Sequence, residues 1–404
     1  MNSDYTLIVN IIQIGLLVYL GLATLYIFVF SAAGLFYRQP PYSENPQRRK
    51  IAVMIPGYKE DEVIVEVAKD ALLQNYPQDL FDVIVVADSF ELETIAKLKS
   101  LPIKLIEVSF EKSTKSKALN KAMEQLPEYY GIAIILDADN LMARDFLTKI
   151  NSSIDSGFYI VQGHRTAKNI NTSMAVLDAV SEEINNHIFR KGHRAFGLSS
   201  ALIGSGMAFR YEFFKELMSN VKAIGGFDKE IELKVLKDGY KMEYLNDALV
   251  YDEKVQNAEV FHNQRRRWLS AQLKYSGEGL FSSFKELLMK GNIDYFDKTL
   301  QALQPPRILL LGSVILFTSV FVTLNLILHT NILFIDFWLI LFLMCISVFI
   351  FSIPISFYNA STMKAMASLP GGMLLMLRSL TKTRGANKQF IHTKHTSSNS
   401  NTGK

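Results

Sequence analysis

The chain has a single cysteine among its 404 residues, which excludes a disulfide framework and a cysteine-based zinc site. Its histidines include lone ones such as His164, His187 and His262, and no pair has the helical spacing of a zinc site. The net charge is only +4. No basic stripe interleaved with aromatics appears, so nucleic acid is not an expected partner. Internal repeats are also missing. The longest absence is of charge: residues 6–36 carry none, and only Asn10 and Gln13 are strongly polar among aliphatic and aromatic runs. That stretch exceeds the roughly 20 residues needed to cross a bilayer. A cleaved signal peptide would show a basic leader and a small-residue cleavage site. Tyr37-Arg38 follows instead, so a retained helix is expected.

A second apolar block comprises residues 308–328 and 332–358, separated by His329-Thr330-Asn331, with Asp336 its one charge and Cys345 inside it. So short a polar break between two spanning lengths predicts a helical hairpin. Arg38, Arg48, Arg49 and Lys50 follow the first span, Arg307 precedes the second, and Lys364, Lys382, Arg384 and Lys388 follow the third. The short outer segments carry no Lys or Arg. The positive-inside rule therefore predicts a multi-pass protein of the plasma (inner) membrane, with its large central segment and tail cytoplasmic. Basic residues beside the bilayer also suit anionic membrane lipid.

Between the apolar blocks, short apolar runs alternate with helical patterns. Residues 51–55 end at Pro56-Gly57, 81–87 at Asp88, and 131–136 at Asp137, with a further run over 103–108. Helical spacing covers 61–73 and 115–125, the latter with Ala118, Leu119, Ala122 and Met123 on one side. This alternation predicts an α/β domain with a parallel sheet covered on both faces. Ligands bind such sheets beyond the carboxyl ends of the strands, where Asp88 and Asp137 fall. Later helices are expected near 177–189 and 230–237. An amphipathic stretch over 281–303 reads either as a helix in the membrane interface or as one facing a core. The expected division is a first span (1–38), the α/β domain (48–275), interface helices (276–307), the hairpin (308–358), a further interface segment (359–396) and a disordered tail (397–404).

Asp137 and Asp139 are two apart, so in an extended segment both carboxylates reach one face. Hard oxygen donors so placed hold a divalent cation that keeps waters and bridges phosphates; alone, Asp-x-Asp also occurs in ordinary loops. Asp88 suits a hydrogen bond from a base or ribose, though a turn residue looks the same. Glu230 opens a helical pattern and is a candidate general base. Glu232 competes with it locally, and an acidic first turn also serves simply to offset the helix dipole. Arg265-Arg266-Arg267-Trp268 reads as a solvated basic run with an interfacial anchor, or as a bidentate diphosphate clamp beside a flat apolar face for a sugar. Gly204-Ser205-Gly206 allows close backbone approach to a ligand, or simply a tight turn.

Taken in order, these stretches resemble the membrane-embedded family-2 glycosyltransferases of the GT-A fold, the group of cellulose, chitin, hyaluronan and poly-N-acetylglucosamine synthases. Pro56-Gly57-Tyr58-Lys59-Glu60 resembles the first nucleotide-binding turn, and Asp88 the uridine-contacting Asp. Lys115-Ser116-Lys117-Ala118-Leu119-Asn120 resembles Lys-x-x-Ala-Leu-Asn, which implies Lys115 near the diphosphate. Asp137-Ala138-Asp139 resembles the metal motif, and the stretch from Gly204 to Arg210 the loop under the acceptor. Gln264-Arg265-Arg266-Arg267-Trp268 is similar to Gln-x-x-Arg-Trp, and Phe390-Ile391-His392-Thr393 to the gating loop Phe-x-Val-Thr. Lys229-Glu230 stands where the family usually has Glu-Asp, Ala87 replaces a frequent acidic residue, and His392 stands in place of Val.

The resemblance implies inverting, Mg2+- or Mn2+-dependent transfer from a UDP-sugar to a growing glycan, with export or regulatory subunits as further partners. Glu230 would be the catalytic base. Pro56, Tyr58, Glu60, Asp88, Lys115, Asp137, Gln264, Arg267, Phe390 and Thr393 would bind the donor, and Asp137 and Asp139 the metal. Gly204, Ser205, Gly206 and Trp268 would meet the acceptor. The alternatives are a non-processive enzyme that adds one sugar to a lipid-linked acceptor and, from another class, a non-catalytic nucleotide receptor.

Overall fold

The computed structural model describes residues 3–221, 223–328 and 335–381. Its strands are β1 Ile51–Tyr58, β2 Phe81–Asp88, β3 Lys104–Val108, β4 Ile132–Ile135, β5 Leu141–Met142, β6 Ile160–Ala167, β7 Met207–Arg210 and β8 Met242–Asp252. They form one sheet in the order β3-β2-β1-β4-β7-β6-β8-β5. The helices are α1 Ser3–Gly34, α2 Ile64–Ala71, α3 Leu92–Lys99, α4 Lys115–Gln125, α5 Phe146–Asp155, α6 Ser173–Asn186, α7 His193–Ala195, α8 Tyr211–Ser219, α9 Phe227–Lys237, α10 Ala258–Lys290, α11 Ile293–Leu303, α12 Arg307–Leu328, α13 Ile335–Ser352, α14 Ala360–Met366 and α15 Leu369–Thr381.

The apolar runs are the central strands because both of their faces are covered. Successive side chains of a strand point to opposite faces. Ala52, Met54, Ile84, Val86, Ala133 and Ile135 accordingly pack on one side with Ala118, Leu119, Ala122 and Met123 of α4. Ile51, Val53, Ile55, Val83, Val85, Ile132 and Ile134 pack on the other with α2 and α5.

The all-parallel expectation holds for β3-β2-β1-β4 and for the β6–β8 pair. It fails elsewhere: β4–β7, β7–β6 and β8–β5 are antiparallel. Two of these reversals are carried by β7, a strand of four residues directly after the turn in which Gly204 and Gly206 take positive φ, and the third by the two-residue β5. So short a strand shows no periodicity.

Among the described residues three helices are long and apolar enough to cross a membrane: Asn10–Gly34, Arg307–Ile327 and Ile335–Ser352. The third stops at Ser352 rather than at residue 358, because Pro354 lies just beyond and proline cannot continue the ladder. The linker 329–334, the stretch containing Phe390 and Thr393, and the tail lie outside the described residues. α10 runs unbroken through residue 275, where a domain boundary was expected.

A π-helical turn, His187–Gly192, follows α6 and packs on α1. A Cβ on Gly192 would sit 2.1 Å from the Phe30 carbonyl oxygen, so this approach requires glycine. His193 then stacks on Phe30 at 3.8 Å. Its Nδ1 donates to the Ile188 carbonyl at 2.8 Å, and its Nε2 lies 3.1 Å from Asp297. One imidazole thus ties α1 to α11 through α7.

Candidate active site

The carboxyl ends of β1, β2 and β4 open into one cavity of about 940 Å³. Directly after β1 and β2, Lys59 (φ 55°) and Ser89 (φ 60°) take left-handed backbone without being glycine. Such positions cost about 1–3 kcal/mol each and cluster at functional sites. Ser89 Oγ donates to the Asp88 carboxylate at 2.9 Å and fixes its direction. Pro56, Tyr58, Glu60 and Asp88 all line the cavity.

Lys115 opens α4, whose N-cap Thr114 accepts from the Lys117 backbone N–H at 3.2 Å. Its ammonium crosses to the Asp137 carboxylate and donates to the Gly204 carbonyl at 2.7 Å. Asp139 is buried, with its carboxylate accepting from Asn140 Nδ2 at 3.2 Å and the Glu253 backbone N–H at 3.1 Å. Among the described residues no group of three or more His, Cys, Asp or Glu is placed to hold a metal. The protein alone therefore does not complete a shell. Two carboxylates at a strand end do fit Mg2+ or Mn2+ that keeps waters and takes its remaining oxygens from a diphosphate.

Of the glycine loop, only Gly204 (φ +81°) lines the cavity. Ser205 and Gly206, expected at the acceptor, lie beneath the site instead. Ser205 Oγ accepts from the Asp137 backbone N–H at 2.9 Å and bonds Asn140, so its work is to hold the Asp-x-Asp turn. A Cβ on Gly206 would crowd Val250 at 3.1 Å.

The acidic residues of α9 separate by helical geometry. Two positions turn a helix by about 200°, whereas four bring it back to nearly the same face. Glu230 points away from the cavity and takes Lys234 Nζ at 2.7 Å. Asp228 lines the cavity opposite the glycine loop; a Cβ on Gly204 would lie 3.9 Å from its carboxylate oxygen. Burial lifts Asp228 above the usual carboxylate range, opposed by Lys229 and assisted by Glu232. The carboxylates α9 gives to the cavity are thus Asp228 and Glu232, whereas Glu230, expected there, does not line it. Glu232 is no solvated helix-face residue either. It is fully buried, accepting from the Leu202 backbone N–H at 2.5 Å and from Lys229 Nζ at 2.8 Å.

α10 brings Gln264, Arg267 and Trp268 to the opposite wall. Trp268 is 40% exposed, with the Arg265 guanidinium 4.5 Å from its ring centre. Arg265 is consumed by the buried Asp178 at 2.5 Å. Arg267 is pulled below its ordinary value by burial, with the Asp137 charge opposing.

Beneath the metal motif lies a buried ionic network without a local sequence pattern. Asn140 Nδ2 donates to Asp252 at 3.1 Å, Lys254 Nζ meets Asp252 at 2.7 Å, and Arg165 meets Glu182 at 2.9 Å. Burial works against the Glu182 and Asp252 carboxylates, but the charges of Arg165 and Lys254 together, with hydrogen bonds from them, hold both below the usual carboxylate range. The network fixes Asn140 and, through it, both aspartates. Nothing in the sequence joins residues so far apart, whereas Asp228 was within reach: it shares a face with Glu232 one turn away.

The sequence profile described as "Glycosyltransferase like family 2" matches residues 46–271, more than half of the chain. No curated protein sequence matches it. Among solved structures, the mannosyltransferase PcManGT from Pyrobaculum calidifontis, in complex with GDP-Man and Mn2+, is similar over 85% of this chain and 97% of that one, at 18% identity and a TM-score of 0.52. This likeness shows the fold alone. The glucosyl-3-phosphoglycerate synthase from Mycobacterium tuberculosis, in complex with Mn2+, UDP and phosphoglyceric acid, aligns over 59% of this chain and 84% of that one, at 13% identity and a TM-score of 0.41, too loose to carry an argument. Profile and fold agree, and the chain belongs to glycosyltransferase family 2, a transferase of the GT-A fold with, among the described residues, three helices long and apolar enough to span a membrane.

Proposed function

We propose that the protein transfers a sugar, with inversion, from a UDP-sugar to a glycan or lipid-linked acceptor at the cytoplasmic face of the plasma membrane. The observation that carries this reading is one cavity lined together by Lys115, Asp137, Asp139 and Asp228. Asp88 takes the uridine, and Lys115 with Arg267 faces the diphosphate. A Mg2+ or Mn2+ ion held by Asp137 and Asp139 would offset charge on the departing diphosphate.

Asp228 receives the proton of the acceptor hydroxyl. The acceptor oxygen bonds to the sugar's anomeric carbon as the bond from that carbon to the diphosphate breaks, and UDP leaves with the electron pair. A carboxylate lifted by burial is a stronger base than an ordinary one, which suits this task near neutral pH. Trp268 offers its face to the acceptor. Phe281, Phe284, Leu288 and Met289 stay exposed on the second half of α10, a surface suited to the bilayer interface.

The test is UDP release from membranes given a panel of UDP-sugars with Mn2+ and with chelator. Metal-dependent release with one donor supports the reading; release unchanged by chelator removes the metal from it. Protease added to intact cells should leave the central segment uncut, and cleavage there would overturn the orientation.

A further inference from the structure

The cavity does not end at the glycosyl-transfer residues. It continues past Lys298 and Arg307, then between the membrane helices, where Ile308 and Leu311 of α12, Phe349 and Ile350 of α13, and Met376 of α15 line it. Its character changes at Arg307. Arg307 Nη2 donates to the Ser181 carbonyl at 3.2 Å, but Nη1 is buried without a hydrogen-bond partner. Lys298 is 5% exposed, its Nζ likewise has no hydrogen bond, and the nearest carboxylate, Glu232, stands 3.6 Å away and already accepts from Leu202 and Lys229. Two cationic donors with unused hydrogen-bonding capacity thus stand where the polar chamber meets an apolar one. Buried donors left unmade are costly, and those on charged groups most so.

From these observations we propose that the acceptor is a membrane lipid whose hydroxyl-bearing head is joined to its chain through a phosphate. The phosphate sits between Arg307 and Lys298, the chain lies in the apolar gallery, and a head-group hydroxyl reaches Asp228. This rests on the transferase reading and names its acceptor class. Arg pairs with phosphate through parallel hydrogen bonds, and Nη1 is the donor left over for that purpose. Ile, Leu, Phe and Met side chains cannot replace the hydrogen bonds of a translocating glycan, whereas a hydrocarbon chain asks for none. Because lipid tails are as apolar as Leu, the gallery guides the chain and the phosphate supplies the selectivity. In the transfer, the head-group oxygen bonds to the anomeric carbon, its proton goes to Asp228, and UDP departs with the electrons of the broken bond.

The full chain is placed in phosphatidylcholine vesicles containing either phosphatidylglycerol, which joins a phosphodiester to free hydroxyls, or diacylglycerol, whose hydroxyl has no phosphate. Labelled UDP-sugars are then supplied. Label should enter the chloroform-soluble fraction with phosphatidylglycerol alone. Arg307→Gln should raise the half-saturating lipid concentration about tenfold, the loss of one charged hydrogen bond, with UDP binding unchanged. Leu311→Trp should cut labelling of long-chain lipid yet spare the short-chain dihexanoyl form. Label in a water-soluble glycan, equal labelling of diacylglycerol, or UDP binding with label in neither fraction would overturn the proposal. Failure of the wild-type chain to bind UDP would instead overturn the transferase reading beneath it.

Discussion

At the sheet end of the cavity, cations face carboxylates: Lys115 meets Asp137, and Arg165 and Lys254 meet Glu182 and Asp252. At the membrane end, Arg307 Nη1 and Lys298 Nζ have no hydrogen bond, and the walls beyond are mostly hydrocarbon, with Tyr358 and Thr362 among them. The two ends also differ in how they are built. The sheet end is held by backbone ladders and a buried network that survive without a ligand. The membrane end is made of helix faces whose polar groups are left for something else to complete. On the proposed reading the difference separates chemistry from delivery: the rigid end would position the reacting atoms, and the incomplete end would select what is brought to them.

Breaking the sheet end should have the largest effect. Asp139→Ala removes a metal-facing carboxylate and also frees the Glu253 backbone N–H. Transfer should fall by roughly 10²–10³, the range for losing a preorganised electrostatic partner. UDP release across a Mn2+ titration checks it, and wild-type rates in chelator would remove the metal assignment.

On the opposite wall, Trp268→Ala should leave UDP-sugar binding and slow hydrolysis while coupling to the acceptor falls roughly 10–100-fold through misplacement. Measuring UDP release and labelled product separately distinguishes this from a general loss.

Glu232→Gln sharpens the comparison by acting on the junction. It weakens the pairing of Lys229 and Lys298, and its cost should be about 1–3 kcal/mol of stability. Burial raises the Glu232 carboxyl, but Lys229 and Lys298 outweigh that and hold it below its ordinary value. Its contribution is therefore complete above about pH 4.3 and is lost as acid carries the pH through the lowered value. Thermal melts of variant and parent across acidic pH would show the gap closing; a constant gap would contradict the pairing.

How much of this was legible in the sequence depends on how local the cause is. β1, β2 and β4 were readable because each is apolar throughout and stops at Pro56, Asp88 or Asp137. α4 was readable from its four-residue apolar face. β7 was not, since four residues carry no period. The pocket-lining positions Tyr58, Asp88, Lys115 and Trp268 came from short motifs that keep their order in the chain. Ser205 and Gly206 belonged to such a motif, but chain neighbours at a tight turn point in different directions, so only Gly204 faces the cavity. Glu230 does not line the cavity for a related reason, because a two-residue offset on a helix reverses the face. Arg165, Glu182 and Asp252 are joined only by tertiary packing.

The most direct measurement compares Asp228→Asn with Glu230→Gln, using the same donor, membranes and acceptor. Asp228→Asn should bind UDP normally and lose roughly 10²–10⁴ in transfer, the contribution of a positioned base. The low-pH limb of the parent's rate profile, where Asp228 gains its proton at a pH above the usual carboxylate range, should vanish with it. Glu230→Gln weakens the i,i+4 pair with Lys234, worth about 0.5 kcal/mol, and should stay within about twofold of the parent. If Glu230→Gln is inactive while Asp228→Asn turns over with an unchanged pH profile, the base lies on the other face of α9 and this account of the site is wrong.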